Sequence, residues 1–264
     1  MLNQVSNSPQ TDLAPATFLA HLATRTYSEC PTFSQMGIAQ LANGTESAQA
    51  QAWLSETEKL PFTRYAFAKR RREWLSGRIC AKQAAMQYIA RHTTTPLDAH
   101  DLAIGSGQDG RPYLISHHSA IVCGDIDISI SHSHDFAVAI AAKNYCGIDL
   151  QYLNNTLFKV KNRFCSDFES LILDGFPGAE RRLLGLLWVA KEAVRKCLSN
   201  SRLVGFRELE LIRMSVENDI YTLWFSPALA GIRLSNISSI EVVAHTVGPY
   251  ALGLCSIDKE KIHA

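Results

Sequence analysis

Between Trp188 and Lys196 the chain reads Trp-Val-Ala-Lys-Glu-Ala-Val-Arg-Lys, a stretch whose residue types and spacing could do chemistry. On a helix, Lys191, Glu192, Arg195 and Lys196 share a neighbourhood, because side chains one, three and four residues apart are neighbours there. Glu192 can then look toward a metal ion while Lys196 looks toward a phosphate on that ion. Trp188, Val189 and Val194 can pack the helix down. Alone, a Glu and a Lys one turn apart read as an ordinary solvent-facing ion pair. A second acid upstream changes the balance. Gly147-Ile148-Asp149-Leu150-Gln151 begins a strand-like segment. An Asp in an apolar strand is costly to bury unless it is paired, hydrogen-bonded or on a metal. It could equally be a capping or turn-facing Asp. A hard cation such as Mg2+ needs only one or two carboxylates plus substrate phosphates. Asp149 and Glu192 would supply that pair if the fold brings them together.

The elements around these residues are partly readable. Asp135-Phe136-Ala137-Val138-Ala139-Ile140-Ala141-Ala142 is short, apolar and bounded by polar residues, as expected of a buried strand. Lys143-Asn144-Tyr145 reads as a tight turn into a partner strand from Cys146. Just upstream, Ile128-Ser129-Ile130 alternates as a strand does and ends in Ser131-His132-Ser133. Hydroxyls, backbone amides and an imidazole make a sound phosphate-binding set. They equally make a polar hairpin tip with no ligand. A serine-nucleophile reading is weaker, since no Gly-x-Ser-x-Gly elbow surrounds these serines.

Taken in order, these segments resemble the 4'-phosphopantetheinyl transferases of the Sfp type, within the holo-[acyl-carrier-protein] synthase superfamily. The resemblance rests on Gly147-Ile148-Asp149 followed by the Trp188 to Lys196 motif, with Ser131-His132-Ser133 and Gly110-Arg111-Pro112 upstream. An arginine-rich helix, Lys69-Arg70-Arg71-Arg72-Glu73-Trp74-Leu75-Ser76-Gly77-Arg78, precedes them, and Arg163-Phe164-Cys165-Ser166-Asp167-Phe168-Glu169 lies between the acidic motifs. The match runs in family order from about Ser55 to about Val216. Two positions depart from it: Gln151 stands where the fullest family form has a third acid, and Val189 stands where Ser, Thr or Cys is preferred. A neutral amide is a poorer Mg2+ ligand, so Gln151 is expected to touch a metal weakly or through water. Val189 reads as packing variation.

The resemblance implies an enzyme that transfers 4'-phosphopantetheine from coenzyme A to a serine of an apo acyl or peptidyl carrier protein, releasing adenosine 3',5'-bisphosphate. It implies Asp149 and Glu192 as ligands of Mg2+, with Mn2+ a possible substitute. Asp149, Glu192 and Lys196 are the implied catalytic residues, Glu192 as base for the carrier serine and Lys196 beside the transferred phosphate. Arg78, Gly110, Arg111, Ser131, His132, Lys191 and Lys196 are implied on coenzyme A. Two alternatives remain open, a non-catalytic coenzyme A-binding homologue and a Mg2+-dependent coenzyme A phosphodiesterase. The implied fold is α+β, a pseudo-dimer of two similar helix-plus-antiparallel-sheet halves with the active site between them. The halves would be 1-145 and 146-264, the latter carrying the metal motifs, with a monomer as the expected state.

Composition agrees and decides little. The 264 residues are 47% hydrophobic, enough for a sizeable core. A net charge of +1 gives no general attraction to nucleic acid or membrane. The Lys69 to Arg72 run is expected to be the polar side of an amphipathic helix rather than a nucleic-acid patch. Seven cysteines without Cys-x-x-Cys spacing argue against a zinc site or a disulfide framework and suit a reducing cytoplasm. Met1 to Ser28 carries no signal-peptide pattern, and no run approaches the ~20 apolar residues of a membrane span. Residues 1-50 are the least readable, with Gly44 to Gln51 expected as a flexible link. Helices are expected at Trp53 to Lys59, Arg64 to Arg91, Ser166 to Leu173 and Arg181 to Leu198. Strands are expected near Leu102, Tyr113 and Asp127 to Ser131, and later at Leu209 to Val216, Tyr221 to Phe225, Ser239 to His245 and Ala251 to Ser256.

Overall fold

The computed structural model describes residues 11–26, 29–42, 44–107, 109–199, 203–227, 233–235 and 238–263. In chain order these form α1 (Ala16–Thr26), β1 (Thr32–Gly37), α2 (Thr45–Trp53), α3 (Glu56–Thr63), α4 (Ala68–Ala90), β2 (Leu102–Ser106) and β3 (Pro112–Ser116). Then come β4 (Asp127–Ser133), β5 (Phe136–Ala142), β6 (Tyr145–Tyr152), α5 (Thr156–Phe164), α6 (Asp167–Asp174) and α7 (Glu180–Leu198). The last are β7 (Glu210–Glu217), β8 (Ile220–Ser226), β9 (Arg233–Leu234), β10 (Ile240–Val247), β11 (Tyr250–Ile257) and β12 (Ile262–His263). One antiparallel sheet runs β1-β5-β4 and a second runs β6-β11-β10-β8-β7, while β2-β3 and β12-β9 are separate ribbons.

Alternation in the strands sets the layers. Ala137, Ala139 and Ala141 of β5 face α4, whereas Val138 and Ile140 join Ile148, Leu150, Leu252 and Leu254 in a core between the two sheets. On the far side of the second sheet, α7 buries Leu184, Leu187, Ala190, Ala193, Val194 and Cys197. The order is therefore helix, sheet, sheet, helix. The approach of α7 is close enough to require glycine: a Cβ on Gly147 would lie 1.9 Å from the Ala193 carbonyl oxygen.

The two halves repeat one brace. In the first, Ser55 and Glu58 form a capping box on α3, and Glu58 takes Lys82 of α4 at 2.6 Å and the Ile104 N–H of β2 at 3.0 Å. In the second, Ser166 and Glu169 form the box on α6, and Glu169 takes Lys191 of α7 at 2.6 Å and the Leu211 N–H of β7 at 2.8 Å. Each lysine also donates to the carbonyl two residues before the capping serine, Trp53 and Phe164 respectively. Buried charges need this degree of pairing. The α+β pseudo-dimer expectation thus has a concrete form in matching Lys–Glu–Ser units.

Four side chains of β4 join the halves. Asp127, Ser129, Ser131 and Ser133 accept the N–H groups of Cys146, Ile148, Leu150 and Tyr152, at 2.7, 3.0, 3.2 and 2.8 Å. These are alternate residues on both strands, so hydroxyls and one carboxylate stand in for a backbone ladder.

Several expectations change. The strand from Cys146 is not the hairpin partner of β5: the chain at Lys143 and Asn144 passes from the first sheet to the second, where β6 pairs with β11. Gly44 to Gln51 holds most of α2 rather than a link, the left-handed Gly44 preceding its first turn. Trp53 to Lys59 is the junction of α2 and α3, broken at Leu54 and Ser55. Of the Lys69 to Arg72 run at the start of α4, Lys69 and Arg70 are exposed and Arg71 and Arg72 half-buried, and the later part is buried on nearly all sides, so that helix is not amphipathic as expected. The first 50 residues contain α1 and β1, and α1 packs on the second sheet, with Phe18 stacked on His245 at 4.0 Å. The leader expectation for Met1 to Ser28 falls partly on 1–10 and 27–28, outside the described residues. The seven cysteines are free, and among the described residues no helix is long and apolar enough to cross a membrane.

Ser129→Ala leaves the Ile148 N–H buried without its acceptor and is expected to cost about 1–3 kcal/mol in urea unfolding. Gly147→Ala forces α7 off β6 and is expected to cost about 3 kcal/mol, the upper end of overpacking. Unchanged midpoints would contradict the seam and the close approach respectively.

Candidate active site

The sequence places one acid on β6 and another on α7, and the crossing of these elements decides whether they meet. They do. Asp149 is buried on the α7 side of β6 and takes the Lys196 ammonium at 2.8 Å and the Ser131 hydroxyl at 2.9 Å on the same Oδ1. Lys196 also donates to the carbonyls of Ile148 at 2.8 Å and Ile130 at 3.2 Å, so it touches both halves. Glu192, one turn before Lys196, takes the Arg195 guanidinium at 2.8 Å. Burial raises the Glu192 pKa, and the nearby charge of Asp149 raises it further, against the lowering effects of Arg195 and Lys196. Two carboxylates brought this near are hard oxygen donors suited to a divalent cation. Among the described residues there is no group of three or more such ligands. The Gln151 amide donates to the Tyr152 carbonyl at 2.7 Å.

Two adjoining cavities open beside these groups. The first, about 260 Å³, is lined by Tyr65, Arg70, Glu73, Trp74, Gly77, Arg78, Ser106, Gly110, Pro112, Ile130 and His132. The second, about 180 Å³, is lined by Glu192, Arg195, Lys196, Arg111, Ser129 and Leu203 among others, and shares Gly110, Pro112 and Ile130 with the first. Arg78 is buried, stacks over Trp74 at 4.7 Å and donates to Ser106 at 3.1 Å, yet its Nε has no partner. Desolvation lowers its pKa. A buried guanidinium with an open donor fits an anion. His132 stands at the rim of the same cavity, and desolvation lowers its pKa below the usual imidazole value. Gly110 sits in the left-handed region, φ +77°, at the tip of the β2-β3 ribbon.

Three expected ligands are committed elsewhere. Lys191 is fully buried on another side of α7, held by Glu169 and by the Phe164 and Phe206 carbonyls, and does not face either cavity. A one-residue step turns a helix by about 100°, so Lys191 and Glu192 look in different directions. Ser131 spends its hydroxyl on Asp149 and the Leu150 N–H. Arg111 donates to Asp127, to Ser199 at 2.8 Å and to the Lys196 carbonyl, bracing the β3 side against the end of α7. The sequence reading gave no role to Trp74, Ser106, Arg70 and Glu73 in the first cavity, or to Arg195 in the second. Arg70, Glu73 and Trp74 lie inside the arginine-rich segment, where a spacing of three and four from Trp74 to Gly77 and Arg78 marks a shared helix face. Val189 is buried against Gly253, in keeping with a packing role.

Comparison with known proteins falls on this half of the chain. Residues 145–257, from β6 to the end of β11, match the 4'-phosphopantetheinyl transferase superfamily. The holo-[acyl-carrier-protein] synthase of Anoxybacillus flavithermus is 33% identical over 86 residues, 33% of this chain and 68% of that protein. That of a Geobacillus species is 35% identical over 86 residues, 33% of this chain and 69% of that protein. The chain belongs to the 4'-phosphopantetheinyl transferase superfamily. It is a phosphopantetheinyl transferase. A holo-(acyl-carrier-protein) synthase structure from Bacillus anthracis, in complex with CoA (3',5'-ADP), aligns at TM-score 0.36 and 23% identity over 42% of this chain and 91% of that one. In this transferase the matched segment holds Asp149, Glu192 and Lys196, whereas Arg78, Gly110, Arg111, Ser131 and His132 lie before it.

A raised folded-state pKa for a carboxylate means that stability falls as pH rises from the ordinary value of about 4 through the raised one, and stays lower beyond it. Glu192→Gln is therefore expected to melt above the parent at mildly alkaline pH in EDTA, with the gap closing as pH falls below about 4. A gap independent of pH, read by calorimetry, would contradict the stated environment of Glu192.

Proposed function

We propose that this transferase moves 4'-phosphopantetheine from coenzyme A to a serine hydroxyl of an apo acyl or peptidyl carrier protein, with Mg2+, releasing adenosine 3',5'-bisphosphate. The observation that carries the reading is the meeting of Asp149, Glu192 and Lys196 at the seam between the halves, beside two connected cavities. The serine oxygen forms a new bond to the phosphorus that carries the pantetheine arm. The bond from that phosphorus to the bridging oxygen breaks, and the adenosine bisphosphate leaves with the electron pair.

Asp149 and Glu192 would hold the Mg2+, which when bound would neutralise charge on the diphosphate. Lys196, anchored by two carbonyls from different halves, presents its ammonium to the transferred phosphoryl group. Glu192 accepts the serine proton, and the environment that raises its pKa moves it toward the operating pH of a general base. Arg78, with its open Nε, and His132 bind the nucleotide end, and Gly110 lets the ribbon tip lie close to it. All these groups lie in one chain, so a monomer suffices.

The carrier protein docks through basic and apolar groups on α5, where Lys159, Arg163 and Phe158 are exposed and Lys161 is paired with Glu180 at 2.9 Å. Carrier domains are typically acidic, and charge complementarity acts mostly on encounter.

Incubation with coenzyme A, Mg2+ and apo carrier protein is expected to add one phosphopantetheine to the carrier's intact mass. Glu192→Ala should lower kcat by about 10²–10⁴. Coenzyme A binding with no gain on fatty-acid, polyketide or peptide carriers would favour a non-catalytic protein. Release of phosphopantetheine without a carrier would favour a phosphodiesterase. Lys159→Glu with Arg163→Glu should raise KM for the carrier about tenfold and leave coenzyme A binding alone. An unchanged KM would remove α5 from the docking surface.

A further inference from the structure

Arg195 is anchored independently of Glu192. Its Nε donates to the Val204 carbonyl at 2.6 Å, and its guanidinium lies 4.3 Å over the Phe206 ring. One further donor goes to Glu192 at 2.8 Å. Lys196 is arranged alike, with two carbonyl anchors and one acid, Asp149 at 2.8 Å. The centre therefore consists of two carboxylates and two cations in two separate ion pairs. Both cations line the same cavity, the one that Glu192 also lines. Neither depends on its acid to stay in place.

We infer that Arg195 is a positioning residue that exchanges partners. It neutralises Glu192 while the carboxylate is without a cation, and it faces a phosphate oxygen of coenzyme A once Glu192 turns to the metal. This rests on the proposed transferase centre. When both acids take up a divalent cation, Arg195 and Lys196 lose those partners but keep their carbonyl anchors, with charge-assisted donors free toward the cavity. Arg195 thus opposes metal binding alone and favours coenzyme A binding when metal is present. The two ligands are coupled through it, and such coupling is reciprocal.

Arg195→Gln keeps hydrogen-bond donors near Val204 and removes the charge, and Arg195→Lys keeps the charge. In the parent, Mn2+ and coenzyme A binding are measured separately by titration calorimetry, then coenzyme A binding with Mn2+ saturating. For Arg195→Gln, Mn2+ alone is expected to bind up to about fivefold tighter. Coenzyme A with Mn2+ present should bind about ten- to a hundredfold weaker, and without metal it should change little. Arg195→Lys should shift both affinities back toward the parent. A merely structural role would weaken both ligands together, and that result, or no shift in either, overturns the inference. If the parent binds neither Mn2+ nor coenzyme A, the proposed centre itself fails and the inference falls with it.

Discussion

The meeting of β4 with β6 is the contact on which the rest depends. An edge strand presents every second N–H outward, and left open it invites wrong pairing. Here the outward N–H groups of β6 are taken by Asp127, Ser129, Ser131 and Ser133, one after another. The arrangement fixes register as well as proximity. A slip of one residue along β4 would put Ile128 and Ile130 against polar amides in place of the serines. Because the register holds, Lys196 on the second-half helix reaches the Ile130 carbonyl of the first half and the Ile148 carbonyl of its own. The seam and Lys196 are thus parts of one hydrogen-bond system.

The similarity of the halves makes their difference informative. The Thr32 hydroxyl meets the Ala84 carbonyl at 2.6 Å in the first half, and Gly147 lies against the Ala193 carbonyl in the second. Two residues along those strands stand Ser34 and Asp149, and one residue back along those helices stand Gln83 and Glu192. Ser34 and Gln83 are joined by a hydrogen bond of 2.6 Å. Neutral groups that satisfy one another occupy, in the first half, the place that the acids occupy in the second. Matching Lys–Glu–Ser braces hold both helices to their sheets, so the scaffold is shared while the ionised pair is not.

What was legible in the sequence follows from range. Helices and strands with clear local patterns were readable, and so was the nearness of Asp149, Glu192 and Lys196, because their motif spacing survives without knowledge of the fold. Lys191 misled because adjacency in sequence is not adjacency on a helix, and its partner Glu169 lies in another element. Ser131 and Arg111 have the right chemistry for phosphate, and each also makes long-range contacts that no local pattern announces, Arg111 while lining the second cavity. The alternation of Ile and Ser identified a strand but not that its serines bond a strand of the other sheet. The turn at Lys143 looked like a hairpin because the switch between sheets leaves no local signature. α2 was missed since Ala, Gln and Ser carry no strong periodic pattern.

A chain of net charge +1 can serve a polyanionic substrate because the attraction is local and partly stored. Arg78 is buried against Trp74 with its Nε unpartnered, and burial lowers its pKa. An anion that satisfied such a donor would offset the desolvation of an unpaired group. At the other end of the cleft, burial and the nearby charge of Asp149 raise the Glu192 pKa. A ligand carrying phosphates and a cation together would offset the desolvation at both. The braces around Lys82 and Lys191 tie α4 and α7, the helices that carry Arg78 and Glu192, to the rest of their halves.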